Sequence, residues 1–444
     1  MNNATNLPYG QISLRRFINE IADGPFGSSL TSGHYSNEGA RVVRLGNIGS
    51  AHFRGEDQAY IPLEYFKELQ RHEVRSGDLL IAGLGDENHP VGRACVAPSD
   101  IGPAIVKADC FRVRLDQSRL THRYAAWALS SLLVTQQVST LTRGSTRARI
   151  NLEVAREIRI PVPPVAEQSR ISNFLDLETS RLDRLAKAHQ SQIALLRQRL
   201  AQLVDGVVAG DLDSLAKAGA EVEAGGWRSG RISRVCEVIP GYAFPSSGFL
   251  ADGNGIRLLR GSNVGVGELV WDDVVSWDME SFPVSERFHL RPGDLIMGMD
   301  RPWISRGMRT AVVQDCDLPA LLLQRVACLR RKSATVDMNF VRWVLRSTHF
   351  RLAVESEMTG VSVPHLSGEQ IGSFSFLLPP PGDQARLAAI LDENALRNRR
   401  LLAAMDQQIA LLDERRQALI TAAVTGQFDV STASGRNVMD GVQP

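Results

Sequence analysis

The longest regular pattern in the chain is a run of apolar residues spaced three and four positions apart. Its first occurrence consists of Leu175, Leu182, Ala186, Ile193, Leu196, Leu200, Leu203 and Val207, and only two positions of the spacing, Thr179 and His189, are not apolar. The second consists of Leu391, Ala395, Leu402, Met405, Ile409, Leu412 and Leu419. This spacing is typical of a coiled-coil seam, so the pattern predicts two long helices. Prolines precede each helix, and Gly210 or Gly426 follows it. His189, off the pattern, is interpreted as a tolerated seam residue rather than a metal ligand.

Shorter apolar runs, bounded by Gly, Pro, Asn and Asp, predict β-strands in the rest of the chain. They lie at 41–45, 79–82, 256–259 and 311–313. The segments around Trp127 and Trp343 have helical apolar spacing, which predicts an amphipathic helix in each half. Both tryptophans fall on the apolar face, so we interpret them as core residues rather than as platforms for stacking bases.

The sequence repeats itself with an offset of 216 residues. "VRSGDLL" at Val74 corresponds to "LRPGDLI" at Leu290, and "YAAWALSS" at Tyr124 corresponds to "FVRWVLRS" at Phe340. Between positions 161 and 213, 20 of 53 residues are identical to those 216 positions later, which is far above chance. The chain is therefore a duplication of one unit, in which a divergent domain is followed by a better preserved helix.

The predicted fold class is α+β, with two mixed α/β domains separated by two long antiparallel coiled-coil helices in a pseudo-twofold tandem repeat. Two copies of one helix pair most simply about a twofold axis, which makes them antiparallel. The predicted boundaries are 1–160 for the first domain, 161–213 for the first helix, 214–230 for a loop-like linker, 231–376 for the second domain, 377–430 for the second helix and 431–444 for a flexible tail.

Composition and charge narrow the class of protein only slightly. A chain of 444 residues with 43% hydrophobic residues can bury more than one core. It has neither a signal pattern nor a long apolar stretch, which predicts a cytoplasmic protein without membrane contact. The scattered cysteines predict buried thiols rather than disulfides or a zinc site: Cys95, Cys110, Cys236, Cys316 and Cys328. With a net charge of +1, nucleic-acid binding must be judged from local charge.

The chain lacks the common sequence motifs of catalysis. It has no GxxxxGK[ST] phosphate loop, no HExxH zinc motif and no GxSxG nucleophile elbow. The Pro-Pro pairs follow Val162 and Leu378, so neither forms the Asn/Asp-Pro-Pro-aromatic motif with which amino-methyltransferases hold a flipped adenine. We therefore predict no catalytic, cofactor-binding or metal-binding residues, which favours a binding protein or a scaffold.

Clusters of arginine in both halves point to nucleic acid. They are Arg143, Arg147 and Arg149 in "TRGSTRARIN", and Arg301, Arg306 and Arg309 in "DRPWISRGMR". Guanidinium groups bind phosphates and read guanine edges bidentately. A single cluster is explained equally well as a solvated charged loop, but two clusters in two divergent domains favour DNA contacts.

Several sequence elements resemble the specificity subunit of type I restriction-modification systems. They are the opening "DGPFGSSLTSGHYSNEGARVVRLGNIG", the "PVPPVAEQSRI" entry to the first helix, the "QIALL" helix and the duplication itself. The resemblance covers nearly the whole chain, although Asp383 stands where the first copy has Glu167. Because the chain starts directly with the first domain, the second helix is expected to lie beside the N-terminal segment and so close the circle.

The resemblance implies a DNA-binding specificity subunit without catalysis of its own. The domains at 1–160 and 231–376 would be target recognition domains, each reading one half of a bipartite sequence in double-stranded DNA. Two modification subunits, which bind S-adenosylmethionine and methylate adenine N6, would dock on the helices; restriction subunits that use ATP and Mg would join them. The alternative is a self-contained DNA-modifying enzyme with an unrecognised active site. A bare coiled-coil scaffold does not explain why the domains diverge more than the helices.

Individual residues are nominated for both roles. The candidate DNA contacts are Ser28, Ser29, Arg44, Asn47, Arg143, Arg147, Arg149, Arg260, Asn263, Arg301, Arg306 and Arg309. The candidates for helix pairing and partner docking are Leu182, Ile193, Leu196, Leu200, Leu203, Leu402, Ile409, Leu412 and Leu419. Both halves contribute to each set, as two readers on a shared pair of helices require.

The repeated helix is predicted to act as a ruler between the two half-sites. Insertion of seven residues after Ala194 and after Ala410 keeps the heptad phase and adds ~10 Å of helix. At ~3.4 Å per base pair, the complex should then prefer the same half-sites with a gap wider by up to about three base pairs. Methylation assays on duplexes of graded spacing test this. An active double insertion that still methylates only the original spacing would show that something else measures the gap.

Overall fold

The computed structural model describes residues 8–86, 89–141, 148–220, 226–250, 254–356, 358 and 364–430. The chain forms two compact units. Unit 1 comprises Met1–His189 with Asp406–Pro444, and unit 2 comprises Gln190–Met405. Each long helix thus contributes its first part to one unit and its second part to the other. For this reason the compact units do not coincide with the predicted domains, which end where the helices begin.

Ten strands are described in unit 1: β1 Gln11–Ser13, β2 Ile18–Ala22, β3 Ala40–Val43, β4 Tyr60–Ile61, β5 Glu73–Val74, β6 Leu79–Ala82, β7 Ala94–Val96, β8 Ala104–Val106, β9 Cys110–Leu115 and β10 Arg159–Pro161. One antiparallel sheet has the order β2-β9-β6-β7. A second has the order β4-β3-β8-β5, with β3 and β8 parallel, and β1 pairs with β10. The strands predicted at 41–45 and 79–82 are confirmed as β3 and β6.

The helices that begin in unit 1 are α1 Leu63–Glu68, α2 His122–Leu129, α3 Leu132–Leu141, α4 Leu152–Glu157 and α5 Val165–Ala209. Two short helices have side-chain N-caps: the oxygens of Thr121 and Asn151 accept the backbone N–H groups of Tyr124 and Val154. Helix α2 carries Trp127, which is buried, so both the predicted amphipathic helix and the core position of its tryptophan are confirmed.

Twelve strands are described in unit 2: β11 Arg228–Arg231, β12 Cys236–Pro240, β13 Phe249–Leu250, β14 Ile256–Leu259, β15 Ser276–Trp277, β16 Leu295–Gly298, β17 Trp303–Ile304, β18 Gly307–Met308, β19 Thr310–Val312, β20 Ala320–Leu322, β21 Val326–Arg331 and β22 Ser375–Leu378. The main sheets have the orders β12-β21-β16-β19 and β13-β15-β14-β20. The first is antiparallel and the second contains a parallel pair, β14-β20, so both repeat the arrangement in unit 1.

The remaining helices are α6 Leu212–Lys217, α7 Ile232–Val235, α8 Met338–Arg346, α9 Thr348–Glu355, α10 Gly368–Ser373 and α11 Pro381–Thr425. Helix α8 carries the buried Trp343, which confirms the second predicted amphipathic helix. Helices α5 and α11 are each 45 residues long. Both end at a glycine in the left-handed region, Gly210 with φ of 71° and Gly426 with φ of 75°.

The main core of unit 1 combines its antiparallel sheet and α2 with parts of both long helices. Ile171 and Leu175 come from the start of α5, and the last turns of α11 add Leu419, Ile420, Ala423 and Val424. Further along α5, Asp183 lies 3.6 Å from Arg416, which precedes those residues on α11. The two helix segments of unit 1 are therefore antiparallel, as predicted.

The main core of unit 2 is built in the same way, but α5 and α11 exchange their roles. The start of α11 contributes Leu387, Ala388, Leu391 and Ala395, and the end of α5 contributes Val204, Val207 and Val208. Asn398, further along α11, donates to the carbonyl of Leu196, which precedes those valines on α5 (3.5 Å). The segments in unit 2 are antiparallel as well.

The predicted seam positions face inward. Leu182, Ile193 and Leu419 are buried. The other six candidates are half-buried: Leu196, Leu200, Leu203, Leu402, Ile409 and Leu412. These positions therefore serve helix packing, and their role in partner docking stays a prediction.

A buried glutamine joins each long helix to its domain. In unit 1, Gln168 Oε1 accepts the N–H of Thr121 (2.9 Å), and Nε2 donates to the carbonyls of Arg119 (2.8 Å) and Pro163 (2.9 Å). The corresponding Gln384 in unit 2 makes equivalent bonds. This role explains why both copies of the helix entry keep the glutamine while the preceding acid changes.

An aspartate further along each long helix provides a second connection between the helix and its domain. Asp176 on α5 accepts the indole N–H of Trp127 at 2.8 Å. Asp392 on α11 does the same for Trp343 at 3.1 Å. The tryptophans are thus oriented by the helices against which they pack, and the joint occurs in both units.

The prediction of a loop-like linker at 214–230 is wrong for most of the described residues in that range. Asp211 caps α6 by accepting the N–H of Ser214, and Leu215 and Ala220 are buried in the main core of unit 2. Strand β11 then pairs with β22. The small-residue composition suggested a flexible linker, but its few apolar residues are enough to anchor it. Residues 221–225 and the predicted flexible tail at 431–444 lie outside the described residues.

The second long helix ends beside the N-terminal segment. Tyr9 packs against the main core of unit 1, and its ring lies close to Gly426. Just beyond α11, Phe428 contacts Phe174 with ring centroids 5.5 Å apart. The expectation that the second helix returns to the start of the chain is confirmed within unit 1.

Replacement of Gln168 with Ala should destabilise unit 1, because one N–H and two carbonyl groups lose their buried partners. We expect a loss of roughly 2–4 kcal/mol in the free energy of unfolding, measured by urea titration of the chain. The matched control is Gln407→Ala, an exposed glutamine of α11 in the same unit, which should change stability by less than about 0.5 kcal/mol. Equal effects of the two substitutions would contradict the role given to Gln168.

Candidate nucleic-acid interface

The opening segment of unit 1 presents an exposed turn. Ser28 and Ser29 lie in a short 3-10 helix, Gly27–Ser29, directly after the exposed Phe26. Both hydroxyl-bearing residues are exposed, so the structure leaves them available for contact with a partner. Phe26, 49% exposed, is an apolar residue that the sequence prediction had not included.

Asn47 and Asn263, nominated as DNA contacts, have a structural role instead. Both are buried and occupy corresponding turns. Their side-chain oxygens accept the N–H groups of Arg44 (2.8 Å) and Arg260 (3.0 Å). Their side-chain nitrogens donate to backbone carbonyls across the turn, those of Arg54 and Asp57 in unit 1 and of Val270 and Asp273 in unit 2. Since every polar atom of the carboxamides has an internal partner, we do not retain these asparagines as DNA contacts.

Arg44 and Arg260 brace the same two turns. Arg44 forms an ion pair with Asp57, and Arg260 forms one with Asp273. Arg260 Nη2 also donates to the carbonyl of Asp273 at 2.8 Å. Their side chains are 34% and 25% exposed, so each guanidinium is partly engaged within its own domain.

Arg309 is a half-buried arginine that bonds to its own domain. Its Nε donates to the carbonyl of Val264 (3.1 Å) and its Nη1 to that of Asp300 (3.0 Å), and burial lowers its pKa. The residue 216 positions earlier is Arg93, which bonds the carbonyls of Ile48 and Leu84 in the corresponding way. Two of its nitrogens, Nε and Nη1, thus bond to the backbone of its own domain, and the nomination of Arg309 as a DNA contact stays a prediction.

The other arginines of the two clusters are exposed where they are described. Arg149 donates from Nε to Asp109 at 2.8 Å, and its guanidinium lies 5.9 Å from the centroid of the Phe26 ring. Arg301 is exposed in the left-handed region, with φ of 44°. Arg306 is exposed in the two-residue turn between β17 and β18. Arg143 and Arg147 lie outside the described residues.

Sequence reasoning missed a charged cluster in unit 2. Asp300 Oδ1 is 2.6 Å from His365 Nδ1, and Arg325 Nη1 donates to both oxygens of Asp300 at 3.1 and 3.2 Å. Arg325 is 61% exposed. Two of these residues are equivalent to charged residues of unit 1, because His365 lies 216 positions after Arg149 and Arg325 lies 216 positions after Asp109. A comparison of the two repeats could therefore have identified these positions from the sequence.

The cysteines are mostly inaccessible. Four are buried and Cys316 is exposed. Burial raises the pKa of Cys95 and of Cys236 to about 12, and raises those of Cys110 and Cys328 as well. Within the described ranges, no three His, Cys, Asp or Glu side chains converge as metal ligands would. No helix in the same ranges has the length and apolar character needed to cross a membrane.

Asp23 is the first residue of the opening segment and has a perturbed carboxyl group. Burial raises its pKa to about 6, aided by the nearby charge of Asp109. Hydrogen bonds to Oδ1 from the N–H groups of Gly24 (2.7 Å) and Asp109 (3.0 Å) oppose this shift, as does Arg149. Through these bonds Asp23 fixes the segment that leads to Ser28 and Ser29.

Apolar residues also point away from the packed faces of the long helices. In unit 1 these exposed leucines are Leu177, Leu185 and Leu411. In unit 2 they are Leu195, Leu396 and Leu401. These leucines are 43–66% exposed, whereas the other faces of the same helices pack internally.

The chain is similar to DNA specificity proteins of one class. The family model for the type I restriction modification DNA specificity domain matches residues 77–194. The type I restriction enzyme EcoAI specificity subunit of Escherichia coli is 34% identical over 168 residues, which make up 38% of this chain and 28% of that protein. The MjaVIII specificity subunit of Methanocaldococcus jannaschii is 24% identical over 250 residues, or 56% of this chain and 57% of that protein. The matches thus span less than two thirds of the length of these relatives.

Two solved structures share the fold. A chain from a structure of the type I R-M system, concerned with complex assembly and conformational transition, has a TM-score of 0.72 with 19% identity, covering 95% of this chain and 100% of that one. The crystal structure of the HsdS subunit from Thermoanaerobacter tengcongensis has a TM-score of 0.52 with 19% identity, covering 96% and 99%. The predicted α+β architecture is confirmed.

Substitution of Asp23 by Asn should stabilise unit 1 more at pH 7.5 than at pH 4.5. Because the folded pKa of about 6 lies above the unfolded value, the folded state gains stability from the protonated acid at low pH and loses it as the pH rises through 6. Asn keeps an oxygen for the two N–H groups and carries no charge to bury. We expect a difference between the two pH values of about 1 kcal/mol, or about 2–4 °C in Tm. A gain in Tm that is independent of pH would contradict the ionisation of Asp23 as its cause.

Proposed function

We propose that the chain is the sequence-reading subunit of a type I restriction-modification complex, because the family model for the type I restriction modification DNA specificity domain matches residues 77–194. The domain of unit 1 reads one half of a bipartite target in double-stranded DNA, and the domain of unit 2 reads the other half. The chain performs no chemistry itself. Modification subunits supply S-adenosylmethionine and adenine-N6 methyl transfer, and restriction subunits supply ATP- and Mg-dependent cleavage.

The observation that carries this proposal is a repeated scaffold with different exposed side chains. The internal contacts are duplicated: the joints of Gln168 and Gln384, the turns of Asn47 and Asn263, and the backbone contacts of Arg93 and Arg309. The exposed side chains are not: the exposed Arg149 of unit 1 corresponds to the half-buried His365, and the exposed Arg325 of unit 2 corresponds to Asp109. Two readers of different sequences on one inherited framework require this combination.

The exposed leucines of α5 and α11 support docking of two modification subunits. Leu185 and Leu411 in unit 1, and Leu195 and Leu401 in unit 2, lie on helix faces that the described core leaves uncovered. Because each unit presents such a face, the duplication offers two similar sites. This matches the expected stoichiometry of two modification subunits for one specificity chain.

Labelled S-adenosylmethionine and DNA separate the proposed function from that of a self-contained enzyme. The purified chain alone should transfer no label, and the chain with modification subunits should methylate DNA at defined adenines. Modification subunits without the chain serve as the control and should show no sequence preference.

Methyl transfer by the chain alone, at a rate that follows its concentration through several purification steps, would establish the alternative of an independent enzyme. Sequence-specific methylation by the modification subunits alone would also contradict the proposal, because it would leave this chain without a reading role.

A further inference from the structure

In each unit, three chain segments meet at one junction with the same backbone geometry. The first two segments cross at a glycine. A Cβ on Gly24 would lie 2.0 Å from the carbonyl carbon of Lys107, and a Cβ on Gly241 would lie 1.9 Å from the carbonyl oxygen of Leu323. Only glycine permits so close an approach, so both units need it at the corresponding place.

The third segment is tied to the second through one short strand end. In unit 1, the N–H of Gly83 donates to the carbonyl of Asp109 (2.7 Å), and that of Ile150 donates to Gly83 (2.8 Å). In unit 2, the N–H of Met299 donates to Arg325 and that of Leu366 donates to Met299, both at 3.0 Å. Leu84 pairs with Arg149, and Asp300 with His365, in matching isolated bridges. The junction is therefore one scaffold used twice.

A strained residue sits at the tip of the second segment in both units. Asp109 has φ of 64° and Arg325 has φ of 70°, in the left-handed region that disfavours residues with a Cβ. Such strain costs of order 1 kcal/mol and is concentrated at functional sites. Neither unit has a glycine at this position, although a glycine would remove the strain.

The side chains on this common scaffold differ in kind. Unit 1 places an aspartate at the tip, Asp109, and an arginine on the third segment, Arg149, 56% exposed beside the exposed Phe26. Unit 2 places the arginine at the tip, Arg325, which is 61% exposed and held by Asp300. The exposed cation has thus moved from one segment to another, and its carboxylate partner has moved as well.

One ion pair inside each domain shows the opposite behaviour. Asp78 and Arg114 (2.8 Å) in unit 1 correspond to Asp294 and Arg330 (2.7 Å) in unit 2, with both residues and their contact unchanged. The scaffold at the junction is kept as strictly as these pairs, yet its charges are rearranged. Divergence confined to the exposed side chains indicates that they contact a ligand that differs between the units.

We propose that this junction is a specificity-determining site in each unit, in which Arg149 and Arg325 read the acceptor edge of a base. This inference rests on the proposed function in DNA recognition. A carboxylate that holds one side of a guanidinium fixes its plane, and the remaining N–H donors fit O6 and N7 of guanine in the major groove. Because the cation stands on a different segment in each unit, the two units read different positions of their half-sites.

The test uses the complete methyltransferase complex and a set of duplexes that carry every single-base change in the parent target. Arg149→Gln should reduce discrimination at one position of one half-site by roughly tenfold or more, and Arg325→Gln should do so in the other half-site. Arg149→Lys and Arg325→Lys keep the charge but lose the planar pair of donors, so they should lose the same discrimination. The readout is the ratio of kcat/KM values for the parent base and each alternative.

The matched controls are Arg15→Gln in unit 1 and Arg287→Gln in unit 2, whose side chains are 56% and 54% exposed and also ion-paired. These should leave all base preferences unchanged. Junction variants that slow methylation of every duplex equally, or that act on the same half-site, would overturn the inference. If the parent complex itself showed no base preference, the proposed function would fail first, and the inference with it.

Discussion

The structure depends on the way in which each core is completed by the other repeat. The core of unit 1 includes the last turns of α11, with Leu419, Ile420 and Val424, and the core of unit 2 includes the last turns of α5, with Val204 and Val207. Each such aliphatic side chain contributes about 1.5–3 kcal/mol when buried. Neither repeat can complete its core with its own residues alone, so the duplication is fixed by folding as well as by inheritance.

This constraint determines which residues can diverge between the two repeats and which cannot. Gln168, which joins domain to helix in unit 1, is buried and has no freedom to diverge without loss of stability. Exposed residues at the tips of loops, such as Arg149 and Arg325, are not constrained in this way by burial. A protein with this division can acquire new recognition chemistry at its loops while its framework and helix surfaces remain suited to the same partners.

The periodic parts of the fold could be predicted from the sequence. Long heptad seams, strands bounded by turn residues and the helices of Trp127 and Trp343 are local patterns, and the structure confirms them. The candidate site was less predictable, because a sequence does not show whether a polar side chain points outward. Asn47 is of a residue type that often contacts DNA, but here its carboxamide bonds to the backbone of its own turn. Arg309 likewise bonds to its own backbone, as does the equivalent Arg93. The three-segment junction could not be predicted from the sequence, because its residues are far apart in the chain.

The central claim is that one chain carries two independent readers, and mapping the methylated adenines in DNA from cells that contain the complex tests it most directly. Two such readers should give a bipartite motif, in which two short specific sequences are separated by a gap of fixed length and free composition. A single uninterrupted motif, or two specific sequences separated by gaps of variable length, would contradict it.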